Sequence, residues 1–233
     1  MKRTLLLLSL LLAGQGALAA DGNTVPTPVA LVDLLPPPPA AGSTGARHDL
    51  DVVLATQHAR TAAESAAAKA DAERSVFRLV DVLGSDLQAS RLPRTAAFFK
   101  RVAALDKAEV KQAKDYWQHP RPAVVSAQVQ PLAAEKPGDW SYPSGHATFG
   151  YTSAVLLANM LPEKRAAIFA RADLYAEHRI VMGAHFPSDV EAGRLAGTVL
   201  GGRLLDDPSW RADYAAARAE LRQALALPGQ PPL

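Results

Sequence analysis

Three short blocks between residues 114 and 189 hold the side chains with the greatest capacity for chemistry. They read Lys114-DYWQHP-Arg121-Pro122, then Pro143-Ser144-Gly145-His146, then Arg179-IVMGA-His185-FPS-Asp189. The positions named by number supply three cations, two histidines and a carboxylate. Cations bind a phosphate dianion through charge-assisted hydrogen bonds, and an imidazole oriented by a carboxylate can attack phosphorus. These residue types therefore indicate phosphoryl transfer.

The second block predicts the start of a helix. Ser144 is a favourable N-cap residue, and Gly145 permits close approach of the backbone. His146 is then expected in the first helical turn, where free N–H groups point outward and can bind an anion. Taken alone, an ordinary N-cap with an incidental histidine explains the block equally well.

The third block pairs a histidine with a carboxylate. His185 and Asp189 are four residues apart across a helix start at Pro187, so their side chains can meet. A carboxylate bound to one ring nitrogen fixes the tautomer and leaves the lone pair of the other nitrogen available. In isolation such a pair is more often a surface cap. Arg179 precedes Gly183 by one turn, and it can reach the same point or interact only with the helix dipole.

The first block contributes positive charge. Lys114 lies on a helix that must end before Pro120, and Arg121 follows in an extended Arg-Pro dipeptide. The two cations can therefore approach one point from different directions. A guanidinium grips two phosphate oxygens, whereas an ammonium acts as a point charge. Separately, each is most often a solvated surface cation.

The three blocks in combination resemble a known signature. The pattern Lys-x6-Arg-Pro, Pro-Ser-Gly-His and Arg-x5-His-x3-Asp resembles that of the type 2 phosphatidic acid phosphatase superfamily, which includes bacterial non-specific acid phosphatases and vanadium haloperoxidases. The segments Leu34-Leu35-Pro36-Pro37-Pro38-Pro39 and Ser141-Tyr142 are similar to the soluble class A bacterial acid phosphatases. The resemblance implies an all-helical fold, a periplasmic location and hydrolysis of phosphate monoesters.

The resemblance also implies a role for each motif residue. His185 would be the nucleophile that forms a phosphohistidine, Asp189 would orient it, and His146 would protonate the leaving alcohol. The residues implied to bind phosphate oxygens are Lys114, Arg121, Ser144, Gly145 and Arg179. One position departs from the family, because His178 stands where a serine usually precedes the arginine. The serine's hydrogen bond is therefore lost or replaced by an imidazole.

The charge of this site predicts catalysis without a cofactor. Lys114, Arg121 and Arg179 together balance a phosphate dianion and the Asp189 carboxylate. The sequence has no HExxH motif, EF-hand loop or dense His/Asp cluster, so we expect no metal site. A protonated His146 and a neutral His185 predict a bell-shaped pH profile.

The elements that must position these residues are predicted to be helices. Long alanine- and leucine-rich segments follow Asp49, and no period-2 alternation is evident. An all-α single-domain bundle over residues 48–228 is therefore expected. The predicted helices cover about 49–83, 93–104, 107–118, 145–161, 163–182, 188–205 and 209–226, the first dividing after Ser65. The three blocks then fall at helix ends, where backbone donors are free.

The N-terminus predicts export. Residues 1–20 combine Lys2 and Arg3, an apolar run and the small-x-small pattern Ala17-Leu18-Ala19, as in a secretory signal peptide. The apolar run is too short to span a bilayer of about 30 Å. Residues 21–47 form a proline-rich arm that packs on the surface or moves freely, and residues 229–233 form a short tail. We expect a periplasmic protein.

Composition restricts the partners. Loss of Lys2 and Arg3 lowers the formal net charge from +2 to 0, so no global field attracts nucleic acid. The absence of cysteine excludes disulfides and thiolate chemistry. The expected partner is a small-molecule phosphomonoester, without integral membrane association. Apolar helix faces leave a homodimer open.

Other functions fit the same blocks. A vanadate-dependent haloperoxidase would use this pocket for vanadate, but such enzymes are usually longer. A lipid phosphate phosphatase carries several membrane-spanning helices, which this sequence lacks. A helical module that binds phosphate without turnover is a non-enzymatic alternative. The sequence does not identify the substrate alcohol, or whether water or another alcohol accepts the phosphoryl group.

Overall fold

A computed structural model describes residues 30–84, 87–134 and 138–229. The helices are α1 (Leu31–Leu34), α2 (Thr44–Ala59), α3 (Ala62–Ala70), α4 (Phe77–Val80), α5 (Pro93–Trp117), α6 (Pro122–Val125), α7 (Gly145–Met160), α8 (Arg165–Val181), α9 (Pro187–Asp206) and α10 (Arg211–Ala224). The described residues contain no β-strand. The all-α prediction is therefore confirmed. The predicted signal peptide lies outside the described residues.

Helix α7 is the centre of the bundle. It is buried on nearly every face, and its residues are almost all apolar or small. A helix that is apolar all round is stable only when other helices enclose it. Helices α9, α8 and α5 pack against it, with α9 making the most extensive contact. The second sequence block begins this central helix, so its position is fixed by the core.

Three glycines allow α9 to approach α7 closely. Gly193, Gly197 and Gly201 follow each other at intervals of four and therefore share one helix face. A Cβ atom added to Gly197 would lie 2.3 Å from the carbonyl oxygen of Thr148. That distance is far below van der Waals contact, so the two backbones would have to separate. The close crossing brings the start of α9 beside the start of α7.

We expect Gly197→Ala to lower the free energy of unfolding by about 2–3 kcal/mol, because overpacking a tight contact forces the backbone to shift. Gly202→Ala is the matched control on the same helix, since nothing lies within 4 Å of its added methyl group. Alanine should stabilise that position by about 0.5–1 kcal/mol. Urea unfolding of both variants measures the difference, and equal stabilities would contradict the tight crossing.

Helix α5 is longer than the sequence predicted. The separate helices expected over 93–104 and 107–118 form one continuous helix. Neither Leu105 nor Asp106, which join the two segments, is a helix-breaking residue. Asp106 is buried and accepts a hydrogen bond from Thr152 Oγ1 at 3.2 Å. This contact joins α5 to the central helix, and one continuous helix then extends from the bundle core to Lys114.

The long segment predicted over 49–83 divides earlier than expected. Helix α2 ends at Ala59, and Thr61 caps α3 with a capping box. Thr61 Oγ1 accepts from the backbone N–H of Glu64 at 3.1 Å, and Glu64 Oε2 accepts from the backbone N–H of Thr61 at 2.7 Å. This reciprocal pair stabilises a helix start at Ala62, so the division precedes Ser65.

The described part of the proline-rich arm packs on the bundle. Leu31 and Leu35 are buried in a cluster with Val110 of α5 and Tyr142. The Tyr142 hydroxyl donates to the carbonyl oxygen of Pro36. The sequence left open whether this arm packs or moves freely, and the structure shows it packed against α5 near the second block.

Candidate active site

The three sequence blocks converge on one cavity of about 420 Å³. Helix α5, the start of α7, the end of α8 and the connection to α9 enclose it. The predicted site residues that line it are Lys114, Arg121, Gly145, His146, Arg179 and His185. Asp189 lies behind His185, and Ser144 lies beneath Gly145. The structure therefore brings all eight predicted residues together.

His185 is held by the carboxylate of Asp189. Its Nδ1 atom is 3.3 Å from Asp189 Oδ2 and 3.3 Å from the Ser141 hydroxyl. The same carboxylate oxygen accepts from the Ser141 hydroxyl at 2.5 Å and from the Phe186 N–H at 2.8 Å. A proton on Nδ1 matches these acceptors, which assigns the lone pair to Nε2.

Burial sets the protonation of this pair. His185 is only 2 % exposed, and burial, reinforced by Arg121 and Lys114, lowers its pKa well below the usual value. Burial raises the pKa of Asp189, which hydrogen bonds from Ser141 and Phe186 partly oppose. His185 is therefore a neutral imidazole, as a nitrogen nucleophile must be.

Arg121 is fixed beside the nucleophile. Its Nη1 atom donates to the carbonyl oxygen of Ala184 at 2.7 Å and lies 3.3 Å from His185 Nε2. Its Nε atom donates to the Asp139 carbonyl oxygen at 2.9 Å, and Nη2 donates to Asp139 Oδ2 at 2.7 Å. These contacts hold the guanidinium rigidly at the cavity wall, next to the atom that would attack phosphorus.

Lys114 extends from the last turn of α5 into the same cavity. Its ammonium donates to the carbonyl oxygens of Trp140 and Ser141 and lies 3.7 Å from Asp139 Oδ1. Burial, together with the positive charge of Arg121, lowers its pKa to about 8. The ammonium is therefore charged at neutral and acidic pH and becomes neutral above that range.

Arg179 is buried in the last turn of α8. The chain reverses directly after it, because Gly183 adopts a positive φ of 68° that a residue with a side chain rarely adopts. The Ala184 N–H then donates to the carbonyl oxygen of Arg179 at 3.1 Å. This tight turn is what places His185 and Arg179 at one wall of the cavity.

The second block links the starts of two helices. Ser144 is fully buried as the N-cap of α7, and its Oγ accepts from the Ala147 N–H at 3.4 Å. The backbone N–H of Ser144 donates to the carbonyl oxygen of Asp189 at 2.9 Å. Gly145 therefore forms the cavity wall at a helix N-terminus, where N–H groups are available to an anion.

His146 is uncharged without a bound anion. Burial lowers its pKa to about 3, with further lowering by Arg179 and Arg74 that a hydrogen bond to Ala72 partly opposes. Its Nε2 atom is 3.0 Å from the Ala72 carbonyl oxygen. A carbonyl oxygen only accepts, so Nε2 carries a proton and Nδ1 is the nitrogen that gains or loses one.

The position that departs from the family has a partner. His178 is buried, and its Nδ1 lies 2.7 Å from Asp71 Oδ2. The imidazole therefore has a hydrogen-bond partner of its own at the position where the family usually has a serine. Arg171 Nη2 binds the other carboxylate oxygen of Asp71 at 2.7 Å. Burial alone would raise the pKa of Asp71, but hydrogen bonds from His178 and Arg171 lower it well below its usual range. Asp71 anchors the turn that presents Ala72 to His146.

Several cavity residues were not predicted from the sequence. They are Arg74, Lys107, Lys111, Asp115, Asp139 and Trp140, with Ser141 behind the nucleophile. Arg74 lies forty residues before the first block and carries no motif signal. Lys107 and Lys111 precede Lys114 by seven and three residues, a spacing that places them on one helix face. That spacing was a usable signal.

Comparison with known proteins identifies the family. Residues 97–212 match the family model described as the PAP2 superfamily. An acid phosphatase of Zymomonas mobilis is 34% identical over 202 residues, which cover 82% of this chain and 75% of that protein. This chain belongs to the PAP2 superfamily. A non-specific acid phosphatase of Salmonella typhimurium is 29% identical over 197 residues, covering 80% of this PAP2 chain and 78% of that protein.

A solved structure shares the PAP2 fold. A transmembrane PAP2 type phosphatidylglycerolphosphate phosphatase from Bacillus subtilis superposes with a TM-score of 0.53 at 19% identity, covering 70% of this chain and 85% of the other. In the part of this PAP2 chain that the structure describes, no helix is both long and apolar enough to cross a bilayer.

Proposed function

We propose that this protein hydrolyses phosphate monoesters through a covalent phosphoryl intermediate on Nε2 of His185. The observation that carries the proposal is the placement of a neutral, carboxylate-bound imidazole 3.3 Å from Arg121 in a cavity that Lys114 and Arg179 also line. The acid phosphatase relatives support the same reaction class.

In the first step, the phosphate monoester enters as its monoanion, gives its proton to His146 Nδ1 and lies as a dianion between the cations and the N–H groups at the start of α7. Nε2 of His185 attacks phosphorus while the bond from phosphorus to the leaving oxygen breaks. His146 donates its Nδ1 proton to that oxygen, and the Asp189 carboxylate stabilises the positive charge that develops on the phosphorylated imidazole.

In the second step, water attacks the phosphohistidine. His146, now neutral, takes a proton from the water, and the phosphorus–nitrogen bond breaks to restore neutral His185. The charge of the transferring group is met throughout by Lys114, Arg121 and Arg179. Loss of one such donor typically lowers the rate by about 10²- to 10³-fold.

The proton on His146 must arrive with the substrate. With a pKa of about 3, His146 is neutral in the free enzyme over most of the acidic range. A phosphate monoester has a second pKa of about 6, so its monoanion brings one proton into the cavity and can leave it on His146. Above about pH 6 the monoanion fraction falls, and kcat/KM falls with it. Lys114 loses its charge above about pH 8, and this loss also lowers kcat/KM.

Protonation of Asp189 sets the acidic limb of the pH profile. It removes the acceptor for His185 Nδ1–H. Because the pKa of Asp189 is raised, this protonation begins at higher pH than for an ordinary carboxylate. We therefore expect a bell-shaped kcat/KM profile. The alkaline limb of kcat should lie at higher pH than that of kcat/KM, because a bound dianion holds the proton on His146. Steady-state rates from pH 4 to pH 9 test this, and a flat profile would contradict it.

We also propose that the protein is exported. The predicted signal peptide over residues 1–20 supports a periplasmic location, and fractionation of cells that produce the full-length chain tests it. Activity confined to the cytoplasmic fraction, with residues 1–20 retained, would be the opposing result.

The experiment that tests the proposed function is a panel of phosphomonoesters assayed with purified protein in the presence of a chelator. The proposal expects release of inorganic phosphate at a rate that the chelator leaves unchanged. A protein that binds phosphate without turnover would contradict the proposal. Halide oxidation with added vanadate and peroxide, without phosphatase activity, would also do so.

A further inference from the structure

The cavity carries more positive charge than one phosphate requires. In addition to the three motif cations, it is lined by Arg74, Lys107 and Lys111, and two carboxylates, Asp115 and Asp139, also line it. When Asp189 and a bound dianion are included, the six cations exceed the negative charges by one. One phosphate therefore leaves part of the positive charge of the cavity unbalanced.

The two carboxylates already have partners. Asp139 accepts from Arg121, and Asp115 forms an ion pair with Lys111. Arg74 and Lys107 form no ion pair with a carboxylate anywhere in residues 30–84, 87–134 and 138–229. The positive charge of these two residues is thus available to a ligand.

Arg74 lies at the edge of the reacting phosphate position, and Lys107 lies farther along α5. A Cβ atom added to Gly145 would lie 3.0 Å from Arg74 Nη2, so this guanidinium lies over the start of α7 beside His146. Lys107 is seven residues before Lys114 on α5, and a rise of about 1.5 Å per residue separates them by about 10 Å along the axis. The cations therefore extend from the phosphate position toward the region where a leaving group lies.

We propose that Arg74 and Lys107 bind a second phosphate on the leaving group of the substrate. The preferred substrate class is then a small phosphomonoester whose alcohol carries another phosphate within about 10 Å of the scissile one. A guanidinium binds two phosphate oxygens together, and an exposed ammonium adds a point charge. This inference rests on the proposed function and specifies its substrate.

The test compares kcat/KM for fructose 1,6-bisphosphate and fructose 6-phosphate. We expect the wild-type protein to favour the bisphosphate by about 10-fold or more, beyond the factor of about two from its two phosphates. Arg74→Gln should lower this ratio by about 5- to 30-fold, and Lys107→Gln by about 3-fold. Higher salt should also lower the ratio, because a partly exposed charge is screened.

Lys100→Gln is the matched control. Lys100 is exposed on α5, two turns before Lys107 on the same face, and it does not line the cavity. It should leave the ratio and both rates unchanged. Lys107 is also exposed on a helix, so its variant keeps the test valid even if Arg74→Gln unfolds.

The outcomes separate the two proposals. If fructose 6-phosphate is hydrolysed but neither variant changes the ratio, the second phosphate subsite is wrong and the phosphatase proposal stands. If both variants lower kcat/KM for the two substrates by the same factor, the second phosphate subsite is also wrong. If the wild-type protein hydrolyses neither compound nor any other phosphomonoester, the proposed function fails first, and the subsite fails with it.

Discussion

His185→Ala is expected to lower kcat/KM for p-nitrophenyl phosphate by at least about 10⁴-fold, because it removes the atom to which phosphorus would bond. Neither Ser141 nor Asp189 can replace it, since each lies on the Nδ1 side of the ring. The steady-state rate of purified protein measures the loss. A variant that keeps turnover within about tenfold of wild type would contradict the nucleophile assignment.

This variant must be distinguished from a misfolded one. Lys114, Arg121 and Arg179 remain in His185→Ala, so inorganic phosphate should still raise its thermal unfolding temperature. His58→Ala is the matched control, because His58 is exposed on α2 and does not line the cavity. That variant should retain full activity. Loss of phosphate stabilisation in His185→Ala would show that the substitution disturbs the whole cavity.

His146→Ala is expected to have an effect that depends on the leaving group. With an alkyl phosphate, the departing alkoxide needs a proton, and loss of the general acid should lower kcat/KM by about 10²- to 10⁴-fold. With p-nitrophenyl phosphate, the phenolate departs without a proton, so the loss of kcat/KM should be much smaller. The ratio of kcat/KM for the two substrates measures this proton transfer, because kcat/KM excludes hydrolysis of the phosphohistidine, in which His146 acts as the base for both substrates.

His146→Gln separates proton transfer from positioning. Glutamine can still donate to the Ala72 carbonyl oxygen that binds His146 Nε2, but it cannot transfer a proton. It should therefore show the same dependence on the leaving group as His146→Ala. Equal losses for both substrates in both variants would show that His146 only positions the phosphate.

The convergence of the motif residues was predictable because each block carries its own local signal. Ser144 and Gly145 indicate a helix start, Gly183 indicates a helix stop, and the spacing of His185 and Asp189 places both side chains on one face. These rules depend on backbone geometry within a few residues. The helical propensity of the alanine-rich segments likewise predicted the all-α fold without knowledge of how the helices pack.

The remaining features depend on contacts between distant segments. His178 finds its partner Asp71 at a separation of 107 residues, and no local pattern indicates that pairing. Arg74 reaches the second block only because the turn after α3 folds over the start of α7. The continuous helix α5 was missed for a different reason, since the hydrogen bond from Thr152 to Asp106 that joins its middle to α7 leaves no distinct local pattern in the sequence.

The most direct test of the account is to identify the atom that carries the phosphoryl group. A rapid alkaline quench during turnover, followed by peptide mapping, should find it on His185, because a phosphorus–nitrogen bond survives alkali. Hydrogen bonding of Nδ1 to Asp189 predicts the Nε2 isomer. Phosphorylation of Nδ1, of His146 or of any other residue, or full turnover with no trapped intermediate at any quench time, would contradict the account.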